Sequence, residues 1–284
     1  MTESLRNIKL RIRSVGNTQK ITRAMEMVSA VKLGRVKAAL YASRPYVVKL
    51  ESLMDRLAAS VEIPSHPLLK KREEVRTIAL SVITSDAGLC STYNYAVIRA
   101  ADDFVKRFHP GKVKIAPIGR EGGKHFRQYG IPLLGGCPEP HGRCSAEIPE
   151  KIASYLTGSF SDGNADEVYV AYMHFDSTLR HRPVVEKYLP VESKKAGAVN
   201  YIVEPDIARV MDELVPHYLA EKMRLVLLNA FTSEHSARMV AMKTATDNAE
   251  EMIDGLTLLR NKVRQATITK EVIEIASSAE ALKG

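Results

Sequence analysis

Gly119-Arg120-Glu121-Gly122-Gly123-Lys124 follows a β-rich run and opens a helical one, which is where a phosphate-binding loop forms. The spacing does not support that chemistry. The stretch is one residue short between its first Gly and the Gly-Lys pair, and His125 stands where Ser or Thr holds magnesium. Cys137 and Cys144 flank His141, but they lack a fourth ligand and the usual pair spacing of a zinc site. Cys90 lies just past a strand end, a place where a nucleophile can sit. No His or Asp stands in a convincing relation to it, so the plainer reading is a small packed residue. His235 reads as a core or interface histidine. No carboxylate pair or nucleophile triad emerges, and we expect no catalytic, cofactor-binding or metal-binding residues of the chain's own.

Charge is more informative than motif. Residues 1–50 hold eleven Lys and Arg against Glu3 and Glu26, a net +9, so the rest of the chain comes to about −1 of the total of +8. A basic segment suits nucleic acid, an anionic membrane surface or an acidic protein partner. The basic residues spread around the predicted helix, and few aromatics interleave, which weakens the nucleic-acid reading. No run of 18 apolar residues marks a membrane span, and the N-terminus lacks the apolar stretch of a signal peptide. Three cysteines give no disulfide framework.

The elements explain where the charge sits. Apolar residues recur in steps of three and four at Leu5, Ile8, Ile12 and Val15, at Ile21, Met25 and Val28, and again at Leu50, Leu53, Met54 and Leu57. Thr2 or Ser4 can cap this helix, Pro45 should bend it, and Pro64 and Pro67 end it. Such a helix is about 80 Å long. After Pro205 a second pattern runs through Leu225, Leu228, Thr232, His235, Met239, Met242, Thr246, Ala249, Ile253 and Leu256. A step out of turn then reaches Leu259, Val263 and Ala266. This is close to a heptad seam with small and polar members, in a helix of about 100 Å that Pro216 should kink or delay. Each helix is too long to pack on the middle of the chain, so the two are predicted to pair. Because the middle returns the chain, the pair should be antiparallel; coiled coils between two copies are the alternative.

The middle alternates strand and helix. Val75–Thr84, Lys112–Ile118, Ile131–Leu134, Glu167–Phe175 and Pro183–Val191 read as strands. Ser91–Phe108, His125–Tyr129 and Ser145–Thr157 read as helices, the last capped by Ser145. The result is an α/β domain with a largely parallel sheet. The expected division is 1–60 as an N-terminal coiled-coil helix, 74–200 as the α/β domain and 207–284 as a C-terminal coiled-coil helix.

Several segments together resemble one family. Asn17-Thr18-Gln19-Lys20-Ile21-Thr22-Arg23-Ala24-Met25-Glu26-Met27-Val28 is similar to the N-terminal signature of the gamma subunit of the rotary ATP synthase. Ile83-Thr84-Ser85-Asp86-Ala87-Gly88-Leu89-Cys90 with Asn94 resembles its first strand and turn, and Glu204-Pro205 is typical of it. Ser236–Met242 and Asn261–Glu274 resemble its C-terminal signature. The family commonly has Arg at the place of Ala87 and Gly at those of Ser91 and Ser278.

The resemblance implies an antiparallel two-helix coiled coil with a central Rossmann-like α/β domain. It implies a rotor that couples proton flow through a membrane ring to ATP synthesis or hydrolysis, without an active site of its own. Implied partners are the alpha and beta subunits of a catalytic hexamer, an epsilon-type stalk subunit and a ring of membrane c-type subunits. Nucleic acid and a small-molecule substrate are not among them. Implied contacts with the beta subunits are Lys20, Met25, Arg264, Gln265, Thr269 and Glu271, and Tyr201 and Glu204 lie near the foot on the ring. The implied location is peripheral, on the cytoplasmic side of a bacterial cell membrane. A coiled-coil adaptor or nucleic-acid-binding protein with an α/β head is the competing reading.

Overall fold

The computed structural model describes residues 4–59, 66–109, 111–135, 147–192, 204 and 206–281. Two helices frame the chain, α1 (Leu5–Ala59) and α5 (Ile207–Ala281). Between them lie β1 (Ile78–Ile83), α2 (Tyr93–Val105), β2 (Val113–Ile118), α3 (Arg120–Gln128), α4 (Glu147–Ser161), β3 (Glu167–Ser177) and β4 (Arg180–Leu189). Ser4 caps α1 through its hydroxyl, which accepts from the Asn7 N–H. Both long helices continue through their prolines, Pro45 and Pro216.

The chain divides into two compact units, residues 1–29 with 239–284, and residues 30–238. In the first unit the N-terminal part of α1 pairs with the C-terminal part of α5. The α1 seam runs through Ile8, Ile12, Val15, Gln19, Thr22 and Ser29, alternating steps of three and four up to Thr22. Ile21 and Val28, which the apolar pattern placed on the seam, are 61% and 55% exposed, and Thr22 and Ser29 are buried in their place. On α5 the seam takes Met242, Thr246, Ala249, Ile253 and Leu256, as expected, and then Arg260 and Val263. Leu259 and Ala266 are exposed. The regular step of four after Leu256 lands on Arg260, so the heptad is kept by an arginine whose stem packs while its head reaches Asn261 Oδ1 at 3.2 Å. Thr22 and Thr246 share a hydrogen bond of 2.8 Å across the seam.

The second unit holds a four-stranded sheet in the order β2-β1-β3-β4. β1 is parallel to β2 and β3, and β4 returns antiparallel to β3. The expected strand at 131–134 is reduced to a single bridge, Ile115↔Leu133. Pro132 has no N–H to donate, and Gly130 and Gly135 close in on both sides. One face of the sheet packs Leu80, Val82 and Ile115 against Val97 and Phe104 of α2 and Phe126 of α3. The other packs Ile83, Ile118 and Val170 against Leu156 and Phe160 of α4, Met54 of α1, and Leu219, Met223 and Leu227 of α5. In this unit α1 and α5 run antiparallel: Leu40 packs with Leu228, and Tyr46 Oη meets His217 Nε2 at 2.8 Å.

Two helix starts differ from expectation for backbone reasons. α2 begins at Tyr93 because Leu89 and Ser91 are left-handed, with φ of 60° and 54°. α3 begins five residues early, with Gly122 seated against Thr84 just past β1 and Gly123 against Pro117 of β2. The expected cap Ser145 lies outside the described residues.

Candidate coupling surface

The glycine loop at 119–124 is a structural joint. Gly119 has φ 98°, and a Cβ there would stand 2.1 Å from the Thr84 carbonyl oxygen. The Gly122 N–H donates to Thr84 Oγ1 at 2.9 Å, the Arg120 N–H to Asp86 Oδ1 at 3.1 Å and the Glu121 N–H to the Ser85 carbonyl at 3.2 Å. The amides that would cradle a phosphate are therefore engaged by the end of β1. Cys90 is buried, accepts from Asn94 Nδ2 at 3.4 Å, and burial pushes its thiol above the usual range. That disfavours the thiolate a nucleophile needs. Cys137, His141 and Cys144 lie outside the described residues, among which no group of three or more metal-type ligands forms.

Helix α5 makes the most unusual environment. Every residue from Val226 to Ser236 is buried, so the helix is enclosed all round and has no separate seam there. Its polar side chains are matched to the α/β domain. Arg238 donates to Glu234 Oε1 at 2.7 Å and to the Ala87 carbonyl at 2.9 Å, and reaches the Gly88 carbonyl at 3.4 Å. This holds the β1–α2 turn from behind. Burial raises Glu234, with Arg238 opposing. Burial, and then the charges of Arg238 and Lys32, push His235 down to about 4, so it is neutral at pH 7. Asn229, Ser233 and Ser236 bond to the backbone of β3 or to the residue after it. Periodicity alone gives these six α5 residues no such role. The signal was a run of Asn, Thr and Ser in a long helix that such residues disfavour.

The expected contact residues fall into separate groups. Lys20 is exposed and Met25 half-buried on α1, while Arg264, Gln265, Thr269 and Glu271 are exposed on α5. The Thr22–Thr246 pairing puts Lys20 level with residue 248, so Arg264 lies about 24 Å further along the coil. By the same register Leu5 is level with residue 263. Beyond it every described residue from Arg264 to Ala281 is exposed. Ile268, Val272 and Ile275 stand on one face of this end at steps of four and three, all more than half exposed. Glu204 is exposed at a bend, and Tyr201 lies outside the described residues. No helix among the described residues is long and apolar enough to cross a membrane.

A polar-seamed two-helix coil, and an α/β domain whose turns are closed by its own residues and by Arg238, suit a mechanical coupling protein. A profile of the ATP synthase family matches residues 4–282. The chain is 40% identical to the ATP synthase gamma chain of Anaeromyxobacter sp. over 99% of both chains, and 41% identical to that of Chloroflexus aurantiacus over 98% and 99%. In fold it is similar to a chain in the Euglena gracilis mitochondrial ATP synthase, with TM-score 0.63 at 12% identity over 97% and 94% of the two chains. A chain in the central stalk and c-ring structure of the Tetrahymena thermophila enzyme gives TM-score 0.56 at 21% identity, over 79% and 99%. The chain belongs to the ATP synthase gamma chain family. It is accordingly a non-catalytic rotor subunit of a membrane-associated complex.

Two predictions concern the buried machinery. Ser91 holds a left-handed backbone that glycine adopts without strain, so Ser91→Gly should stabilise by about 1 kcal/mol. Gly119→Ala should destabilise by more than about 2 kcal/mol. Thermal unfolding of both variants checks this, and shifts of equal sign would contradict it. His235 adds a pH dependence. Below pH 6.5 the unfolded chain takes up a proton that the folded chain refuses until about 4. Stability is therefore lost as pH falls through that window, by on the order of 2–3 kcal/mol. His235→Gln should lose less stability than the parent between pH 7 and 4, and parallel curves would count against this account.

Proposed function

We propose that the rotor works by seating its single-helix end inside a hexamer of alpha and beta subunits while a ring of membrane c-type subunits turns it from the other side. An epsilon-type stalk subunit completes the stalk. Residues 1–60 and 207–284 serve as the shaft and 74–200 as the head. Proton flow turns the ring, the ring turns the chain, and the changing profile of the shaft takes each catalytic site through its conformations in turn. ATP hydrolysis drives the same motion backward. The chain is held peripherally at the cytoplasmic face of a bacterial cell membrane through these contacts.

The observation that carries this reading is the exposed end of α5. A helix with an apolar stripe at Ile268, Val272 and Ile275, uncovered by any described residue of its own chain, needs a surrounding sleeve. Arg264, Gln265, Thr269 and Glu271 sit on the same stretch and, with Lys20 and Met25 lower on the coil, meet the beta subunits. Tyr201 and Glu204 meet the ring. The +9 of the first fifty residues lines the bearing against acidic or dipolar surfaces.

Reversing both charges, Arg264→Glu with Glu271→Lys, should lower ATP synthesis by the assembled complex several-fold. The melting temperature should stay unchanged, because both side chains are exposed. Undiminished synthesis would remove these residues from the contact.

A further inference from the structure

Strand β3 overhangs the sheet. Its pairing with β1 stops at Val82↔Ala171, yet β3 runs on to Ser177. Its other edge stays paired with β4 through the same stretch. The overhang therefore offers main-chain polar groups on the side where β1 has ended. An edge of this kind, when buried, has to be satisfied by something other than a strand.

Helix α5 supplies the partners. The Phe175 N–H donates to Asn229 Oδ1 at 3.3 Å, the Ser233 hydroxyl to the Met173 carbonyl at 3.3 Å and the Ser236 hydroxyl to the Thr178 carbonyl at 2.8 Å. Positions 229, 233 and 236 follow steps of four and three and so share one face of the helix. All three residues are at most 2% exposed. Asn229 Nδ2 donates to the Leu225 carbonyl at 2.9 Å, which fixes the orientation of the amide. Ala or Leu would serve the helix better at each position. Apolar packing is non-directional and lets one surface slide over another, whereas hydrogen bonds fix angle and register.

We propose that Asn229, Ser233 and Ser236 form a key that locks the overhanging β3–β4 arm to helix α5, so that the α/β domain cannot slip around or along the helix under load. They are positioning residues for torque transfer. The inference rests on the rotor function and adds the joint by which the α/β domain and the helix move as one.

The test uses the whole complex carrying Asn229→Leu, Ser233→Ala and Ser236→Ala together. The Phe175 amide should exchange with solvent about tenfold faster, the consequence of one lost hydrogen bond. ATP hydrolysis should continue at the parent rate, while ions pumped per ATP hydrolysed against an opposing gradient should fall at least twofold. Unchanged pumping per ATP overturns the proposal, whether or not exchange accelerates. If the triple variant does not assemble, Ser236→Ala alone removes the shortest of the three bonds with little loss of bulk. It should lower pumping per ATP in the same direction, and an unchanged ratio again overturns the key. A parent complex that never couples hydrolysis to pumping would overturn the rotor function itself, which no variant comparison can produce.

Discussion

The enclosure of α5 between Val226 and Ser236 is the constraint on which the second unit depends. A helix surrounded on every side cannot place its polar residues in water, so each must find a partner in the protein. Asn229 and Ser233 find them on β3, Ser236 at the Thr178 carbonyl just after it, and Thr232 on its own helix at the Leu228 carbonyl; two residues further on, Arg238 finds its partners on the β1–α2 turn. The sheet then needs no further strand beyond Ala171. The turn after β1 can hold two left-handed residues because Arg238 fixes its carbonyls from behind and Asn94 accepts the Ser85 N–H. A single enclosed stretch thus organises both the sheet edge and the loop.

The first unit follows a different logic. Its seam is thin, with Gln19, Thr22, Ser29 and Thr246 at positions where Leu or Ile would give more burial. The Thr22–Thr246 hydrogen bond defines one register for the pair. Apolar side chains are instead turned outward, at Leu10, Ile21, Met27 and Val28 on α1 and at Ile268, Val272 and Ile275 on α5. In a chain that worked alone this distribution would favour aggregation. In the rotor as proposed, enclosed by other subunits, the same side chains would form the bearing surface.

That inversion explains what was legible in the sequence. Helix lengths, antiparallel pairing and the order of the α/β domain follow from period, punctuation and Pro placement. The seam of α1 was misplaced at Ile21 and Val28 because hydrophobicity marks the core only when the outer face is polar. On α5 the pattern drifted to Leu259 because Arg260, which keeps the heptad, looks like a surface residue in one dimension. Gly119 and Gly122 read as a faint nucleotide loop, since the need for close approach to Thr84 is invisible until β1 and α3 are adjacent. The contact residues expected at the helix end came from family resemblance; periodicity alone could not separate Arg264 or Glu271 from any solvated charge.

A rotor subunit has to turn inside its complex. The most direct measurement is single-molecule rotation, with the complex immobilised through the proposed alpha–beta hexamer and a bead attached to an exposed position of α3. On adding ATP the bead should make full, unidirectional turns. A bead that stays fixed while ATP is consumed would contradict the account.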